Sequence, residues 1–211
     1  MANFTELNKM VESGKRKVVK ELVAQMIEEG VSAKEILEQG LMPAMSVVGE
    51  KFKNNEVFVP EVLVAARAMN EGITLLRPLM KEADIKAPGT CVIGTVKGDL
   101  HDIGKNLVKM MLESKGINVI DLGVDVTAEQ MVASAKEHHA DIICCSALLT
   151  TTMVEMERVV SLVKEEGLQD KVMVMIGGAP VTEEFCKKIG ADCYTPDAAS
   201  AADAALAYLQ K

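Results

Sequence analysis

Histidine is scarce in this chain: three occur in 211 residues, and none precedes His101. Any site that gathers several imidazoles around one metal is therefore excluded from the first hundred positions. The five cysteines are odd in number and lack the paired spacing of a zinc site. Cys91, Cys144 and Cys145 lie in apolar runs where a free thiol behaves as a small buried hydrophobe, so a reduced, cytoplasmic setting is expected. No apolar run approaches the length of a membrane span, and the polar start MANFTELNK carries no secretory leader pattern. No membrane association is expected. Basic excess is missing too: a net charge of −8 argues against a nucleic-acid-binding surface.

What is present falls into two rhythms. Up to about Ala83 the pattern is helical, with Val18, Val19, Leu22, Val23, Met26 and Ile27 forming one apolar face that ends at Gly30. Ser32 and Glu35 form a capping box, Gly40 is expected to close that short helix, and Pro43 suits a first helical turn. A further pattern runs to Lys53. The turn Asn54-Asn55 then leads to Pro60 and a long helix through Leu76. This half, residues 1–86, predicts a bundle of four or five helices. The segment Asp84 to Gly89 breaks the pattern and is expected to connect two domains.

From residue 87 to 211, strand-like runs at 90–96, 117–122, 141–146, 172–176 and 192–195 alternate with helical patterns. Such alternation of continuous apolar strands with helices predicts a parallel sheet covered on both faces. The expected fold is α/β: a flavodoxin-like, doubly wound, five-stranded sheet of order 2-1-3-4-5. Ligands in that fold bind at the carboxyl ends of the strands, beside the switch point. Three loops should meet there: Gly98 to Gly104, Ser146 to Thr152, and Gly177 to Pro180.

The first of these holds the candidate site. His101 stands at a strand-to-helix turn between Asp99 and Asp102, flanked by Gly98 and Gly104. A carboxylate two residues before an imidazole can hold its second ring nitrogen, the usual arrangement behind a metal-bound histidine. His101 is therefore the candidate metal ligand. His-Asp-Ile-Gly-Lys (101–105) also matches the signature of HD-type phosphohydrolases, but those need an upstream histidine and an all-helical setting. A dinucleotide fold would need Gly-x-Gly-x-x-Gly after the first strand, and Gly94, Gly98 and Gly104 do not supply it. A receiver domain would need an aspartate ending strand 3, where Cys144-Cys145-Ser146 stand.

With these residues assembled, the chain resembles the corrinoid (cobalamin-binding) proteins of methyltransferase systems. Those systems serve methanol, methylamines, glycine betaine or aryl methyl ethers. It is also similar to the cobalamin-binding module of methionine synthase. Asp99-Leu100-His101-Asp102-Ile103-Gly104 carries the Asp-x-His-x-x-Gly signature, Ser146-Ala147-Leu148 the Ser-x-Leu motif, and Gly177-Gly178 the glycine pair.

The resemblance implies a cobalamin or related cobamide (methylcob(III)alamin or cob(I)alamin), bound base-off with His101 on cobalt. Asp99 would back the imidazole, and Thr152, at the position of a relay serine, would extend the pair. The cofactor's tail would run into a slot lined by Gly94, Ser146, Gly177, Gly178 and Ala198, with Thr150 hydrogen-bonding the corrin or its tail. Phe58, in Glu56-Val57-Phe58-Val59-Pro60, would cover the reactive face, helped by Val62, Ala65 and Met69. The implied role is a non-catalytic methyl carrier. Its implied partners are a substrate-specific methyltransferase, a second methyltransferase using tetrahydrofolate or a thiol, and a reductive activase. The alternative within cobalamin proteins, a subunit of an adenosylcobalamin mutase, lacks such a helical cap.

Overall fold

The computed structural model describes residues 3–80 and 87–211. The expected connection at 84–89 thus lies partly outside the described residues, which begin again at 87. They fall in two compact units: the first holds the chain up to residue 80 together with Ser114–Gly116, the second Ala87–Glu113 and Ile117–Lys211.

The first unit opens with α1 (Phe4–Glu12), capped by Asn3, whose side-chain oxygen accepts from Glu6 N–H at 3.1 Å. α2 (Arg16–Glu28) buries Val19, Val23 and Met26, the face expected from their spacing. Each such side chain contributes about 1.5–3 kcal/mol on full burial. The capping box forms: Ser32 Oγ accepts from Glu35 N–H at 3.2 Å, and the Glu35 carboxylate accepts from Ser32 N–H at 3.2 Å.

Gly40 does not end this helix. α3 (Ala33–Glu35) passes through a π-helical turn (Ile36–Leu41) directly into α4 (Met42–Lys53). A Cβ on Gly40 would lie 2.6 Å from Leu7 Cδ2. Glycine is there to let α1 approach, and the turn widens rather than stops. Asn55, at φ +58, makes the following turn.

α5 (Val59–Leu76) begins at Phe58, whose N–H donates to the Glu61 carboxylate at 3.0 Å. Val62, Ala65 and Met69 are buried on this helix and not presented as a cover, contrary to expectation. Their spacing is that of a core stripe.

In the second unit β1 (Thr90–Thr95), β2 (Asn118–Asp121), β3 (Ile142–Ser146), β4 (Met173–Gly177) and β5 (Cys193–Tyr194) are all parallel, in the order β2-β1-β3-β4-β5. This is the expected switch-point topology. α6 (Ile103–Ser114), α7 (Ala128–Glu137), α8 (Val154–Glu165), α9 (Glu183–Ile189) and α10 (Ala198–Leu209) complete the unit. Register brings Thr95, Ser146 and Gly177 side by side at the carboxyl edge. The chain leaves that edge in step, because Val96 N–H donates to the Ser146 carbonyl (3.0 Å) and Ala147 N–H to the Gly177 carbonyl (3.2 Å). Val92, Ile143, Val174 and Ile176 sit in the core beneath. No described helix is long and apolar enough to cross a membrane.

Candidate functional site

Asp99 is the centre of the carboxyl-edge loops and is fully buried. Its Oδ1 accepts from the His101 backbone N–H at 3.1 Å and faces His101 Nδ1 at 2.7 Å. Its Oδ2 accepts from Leu148 N–H (2.7 Å), Leu149 N–H (3.1 Å) and Thr152 Oγ1–H (3.1 Å). Burial alone would raise the carboxyl's pKa. The bonds from Leu148, His101 and Leu149 outweigh it and hold the group well below its ordinary value of 3.8. A carboxylate only accepts, so Nδ1 carries a proton, and in the neutral ring it is Nε2 that keeps the lone pair. The His101 side chain is 52% exposed. The ring thus presents a fixed, electron-donating nitrogen at an accessible rim, the form a metal requires.

The structure brings the expected residues of the first and second loops together. Gly98 adopts φ +81, and Asp102 precedes α6, its carbonyl accepting from Asn106 N–H at 2.8 Å. Leu100 (72% exposed), Ile103 (76%) and Leu148 surround His101's loop as uncovered apolar side chains. Thr152 is buried and does not cap α8 through its side chain; its hydroxyl lies 2.8 Å from the Leu149 carbonyl and 3.1 Å from Asp99 Oδ2. Thr150 is exposed on the same loop and Ser146 is half-buried below it.

The third loop is built differently at its two glycines. Gly178 has φ +132, and a Cβ there would fall 1.8 Å from the Ala147 carbonyl oxygen, so close packing of backbones requires glycine. Over Gly177 nothing lies within 4 Å, and the same holds for Gly104. Ala198 is buried in the first turn of α10.

Gly94 is not placed to line a slot. A Cβ there would meet Met131 Cε at 3.0 Å and Val126 Cγ2 at 3.2 Å, so its bareness serves packing against α7. Phe58 stands on the first unit, 62% exposed.

Several contributors carry no sequence signal. The amides of Leu148 and Leu149 act through backbone atoms that every residue has. Thr95 Oγ1 donates to the His101 carbonyl at 2.8 Å, and Asp125 Oδ1 accepts from Gly98 N–H at 2.7 Å. Lys105, only 2% exposed, donates to Asp121 Oδ1 at 2.6 Å and to Asn106 Oδ1 at 2.8 Å.

Residues 89–206 match the B12 binding domain family, and residues 4–77 match a second B12 binding domain family. The chain belongs to the corrinoid proteins of methyltransferase systems. This corrinoid protein is 49% identical over 168 residues to the dimethylamine corrinoid protein of Methanosarcina barkeri, covering 79% of each chain. It is 45% identical over 180 residues to trimethylamine corrinoid protein 1 of Methanosarcina acetivorans, covering 82% of this chain and 83% of the relative. Its fold superposes on a chain of the methanol:cobalamin methyltransferase complex MtaBC from Methanosarcina barkeri with a TM-score of 0.87. The identity there is 32%, over 97% of this chain and 78% of that one. A corrinoid is the cofactor, and the residues present fit one. A lone-pair nitrogen backed by a buried carboxylate faces outward among bare leucine and isoleucine side chains, beside glycines with open space above them.

Proposed function

We propose that this corrinoid protein is the methyl carrier of a methylamine-type methyltransferase system, holding its cobamide base-off with His101 as the lower cobalt ligand. One observation carries the reading: Nδ1 is committed to a buried carboxylate 2.7 Å away, which leaves Nε2 free to donate at the rim. When bound, the cobalt supplies a nucleophilic centre that takes up a methyl group and gives it away.

The chain's own residues then have distinct tasks. His101 presents Nε2, and when off the metal it can carry a second proton there, with the Asp99 charge compensating. The Thr152 hydroxyl has one proton and two acceptors within reach, Asp99 Oδ2 and the Leu149 carbonyl. If the carboxyl takes a proton at Oδ2, that O–H donates to Thr152 Oγ1 while the Thr152 O–H donates to the Leu149 carbonyl, each proton staying on its own oxygen. The pair thereby offers a place for the proton that His101 gains or loses as ligation changes. Leu100, Ile103 and Leu148 offer exposed apolar surface on which a corrin would rest, and its binding would shield the imidazole from water. Gly98, Asp102 and Gly104 shape its loop. Ser146, Thr150, Gly177, Gly178 and Ala198 are assigned to the cofactor and its tail, and Phe58 to the cover of the reactive face.

The identity to dimethylamine and trimethylamine corrinoid proteins supports a methylamine as the methyl source. The likeness to a chain of a methyltransferase complex supports a substrate-specific methyltransferase as partner. A second methyltransferase passing the group to tetrahydrofolate or a thiol, and a reductive activase, complete the proposal.

The direct test is His101→Gly, purified with corrinoid present. The visible spectrum should lose its imidazole-bound form and methyl uptake should fall, with free imidazole restoring both. A spectrum identical to that of the unaltered protein would refute the ligand assignment.

A further inference from the structure

The backbone that carries His101 is tied down by residues outside its own loop. Gly98 N–H donates to Asp125 Oδ1 at 2.7 Å, and Asp125 N–H donates back to the Asp99 carbonyl at 3.1 Å. Asp125 holds this reciprocal pair at φ +56, a region that aspartate, asparagine and glycine enter more readily than other residues. On the other side of the imidazole, the fully buried Thr95 donates through Oγ1 to the His101 carbonyl at 2.8 Å.

The two anchors belong to one piece of structure. Thr95 N–H donates to the Gly123 carbonyl and the Thr95 carbonyl accepts from Val126 N–H, each at 3.0 Å. The segment 123–126 is therefore sewn to the end of β1 on both sides of Asp125. Asp99's side chain fixes the rotation of the imidazole and accepts from the His101 backbone N–H at 3.1 Å. Its bonds do not reach Gly98 N–H or the His101 carbonyl, which Asp125 and Thr95 hold.

Without those anchors, the Gly98 amide and the His101 carbonyl would lose their partners, leaving the loop held by the Asp99 N–H to the Val96 carbonyl and by the Asp99 side chain. Gly98 has wide backbone freedom, and Leu100 and His101 are exposed. A ligand that leaves and rejoins a metal needs a backbone that returns it to one place, and preorganised supports of this kind raise the ligating population.

We infer that Thr95 and Asp125 are positioning residues that hold the Gly98–His101 backbone where the imidazole can reach cobalt. The inference rests on the reading of His101 as lower ligand. Neither residue needs to touch the cofactor; both act through His101.

The test uses the full chain loaded with cobalamin, grown with ¹⁵N-histidine and brought to the Co(II) state for electron paramagnetic resonance. A histidine nitrogen on cobalt gives two-line splitting when labelled and three-line splitting when not. Asp125→Gly keeps the unusual φ and removes the acceptor, whereas Asp125→Asn keeps both. Thr95→Val removes the hydroxyl at constant shape, whereas Thr95→Ser keeps it.

Asp125→Gly and Thr95→Val should each lower the ratio of histidine-bound to histidine-free cobalt about tenfold, the order expected for one lost buried hydrogen bond. Asp125→Asn and Thr95→Ser should recover most of it. Thermal melting identifies any variant that fails to fold, in which case the other pair decides. If the unaltered protein shows no histidine splitting, the ligand reading fails, whatever the variants do. If it does show the splitting, and Asp125→Gly and Thr95→Val keep the same ratio, the positioning inference is overturned.

Discussion

The imidazole of His101 keeps one tautomer because its partner can only accept. In Asp99→Asn that asymmetry is lost. If the new NH₂ faces His101, Nδ1 must become an acceptor and Nε2 takes the proton, which removes the lone pair from the rim. If the NH₂ faces the other way, it confronts the donating amides of Leu148 and Leu149, and each unsatisfied buried donor costs about 1–3 kcal/mol. The first outcome weakens ligation by about tenfold or more, read from the visible spectrum of the loaded variant, and the second lowers stability, read from thermal melting. The pH dependence follows from the lowered carboxyl. A carboxylate with a depressed folded-state pKa contributes fully above its ordinary value of 3.8 and loses that contribution only as pH falls through the lower one. The ¹³C shift of the Asp99 carboxyl should therefore stay flat from about pH 7 to about pH 5, whereas an exposed aspartate begins to move near the lower end.

The histidine and its aspartate were legible in the sequence because each is a chemically distinct type at a turn, whereas the hydroxyl at 152, one of three adjacent threonines, stood out only through the family resemblance. Thr95 and Asp125 were not. A threonine ending an apolar strand and an aspartate in a loop are ordinary, and what makes them contributors is a tertiary hydrogen bond to a backbone atom.

At the scale of elements, the strand order and the meeting of loops at the carboxyl edge follow from alternation alone, since parallel β-α units have few ways to close. The helical half was less transparent. Gly40 reads as a stop, yet it accommodates Leu7 from α1, a contact invisible along one helix. Gly94 reads as room for a ligand and is instead filled by Met131 and Val126.

The start of α6 shows how an element is placed for the site. Lys105 runs inward and meets Asp121 at the end of β2, where Gly123 N–H donates to the same oxygen at 3.0 Å. Burial works to raise the Asp121 carboxyl, but the bonds from Lys105, Gly123 and Lys109 prevail and lower it. Lys105→Met keeps the apolar stem and removes the charge. Asp121 retains Lys109 at 3.2 Å, so the variant should fold with a stability loss of about 1–3 kcal/mol, less than for a fully orphaned buried charge. Denaturant unfolding measures it. No loss would mean that the ion pair does not help to seat the helix.

For the whole molecule, the proposed division of labour is between two units. The ligand set lies entirely on the second. Phe58, proposed as the cover, lies on the first, at the head of α5, with its ring exposed. Phe58→Ala should leave the amount of bound corrinoid unchanged and shorten the lifetime of the reduced cobalt in trace oxygen, followed by its visible absorbance. An unaltered lifetime would remove Phe58 from the proposal. On that proposal binding and protection are separable, with the proposed ligand His101 on the second unit and the proposed cover Phe58 on the first.

The central claim is that a protein nitrogen from His101 replaces the cofactor's own base beneath the metal. The most direct measurement is the Co(II) electron paramagnetic resonance spectrum of the unaltered full chain, loaded with cobalamin and grown with and without ¹⁵N-histidine. The account requires the nitrogen splitting to change from three lines to two on labelling. A three-line pattern that persists in the labelled protein would mean that the benzimidazole remains in place, and would contradict it.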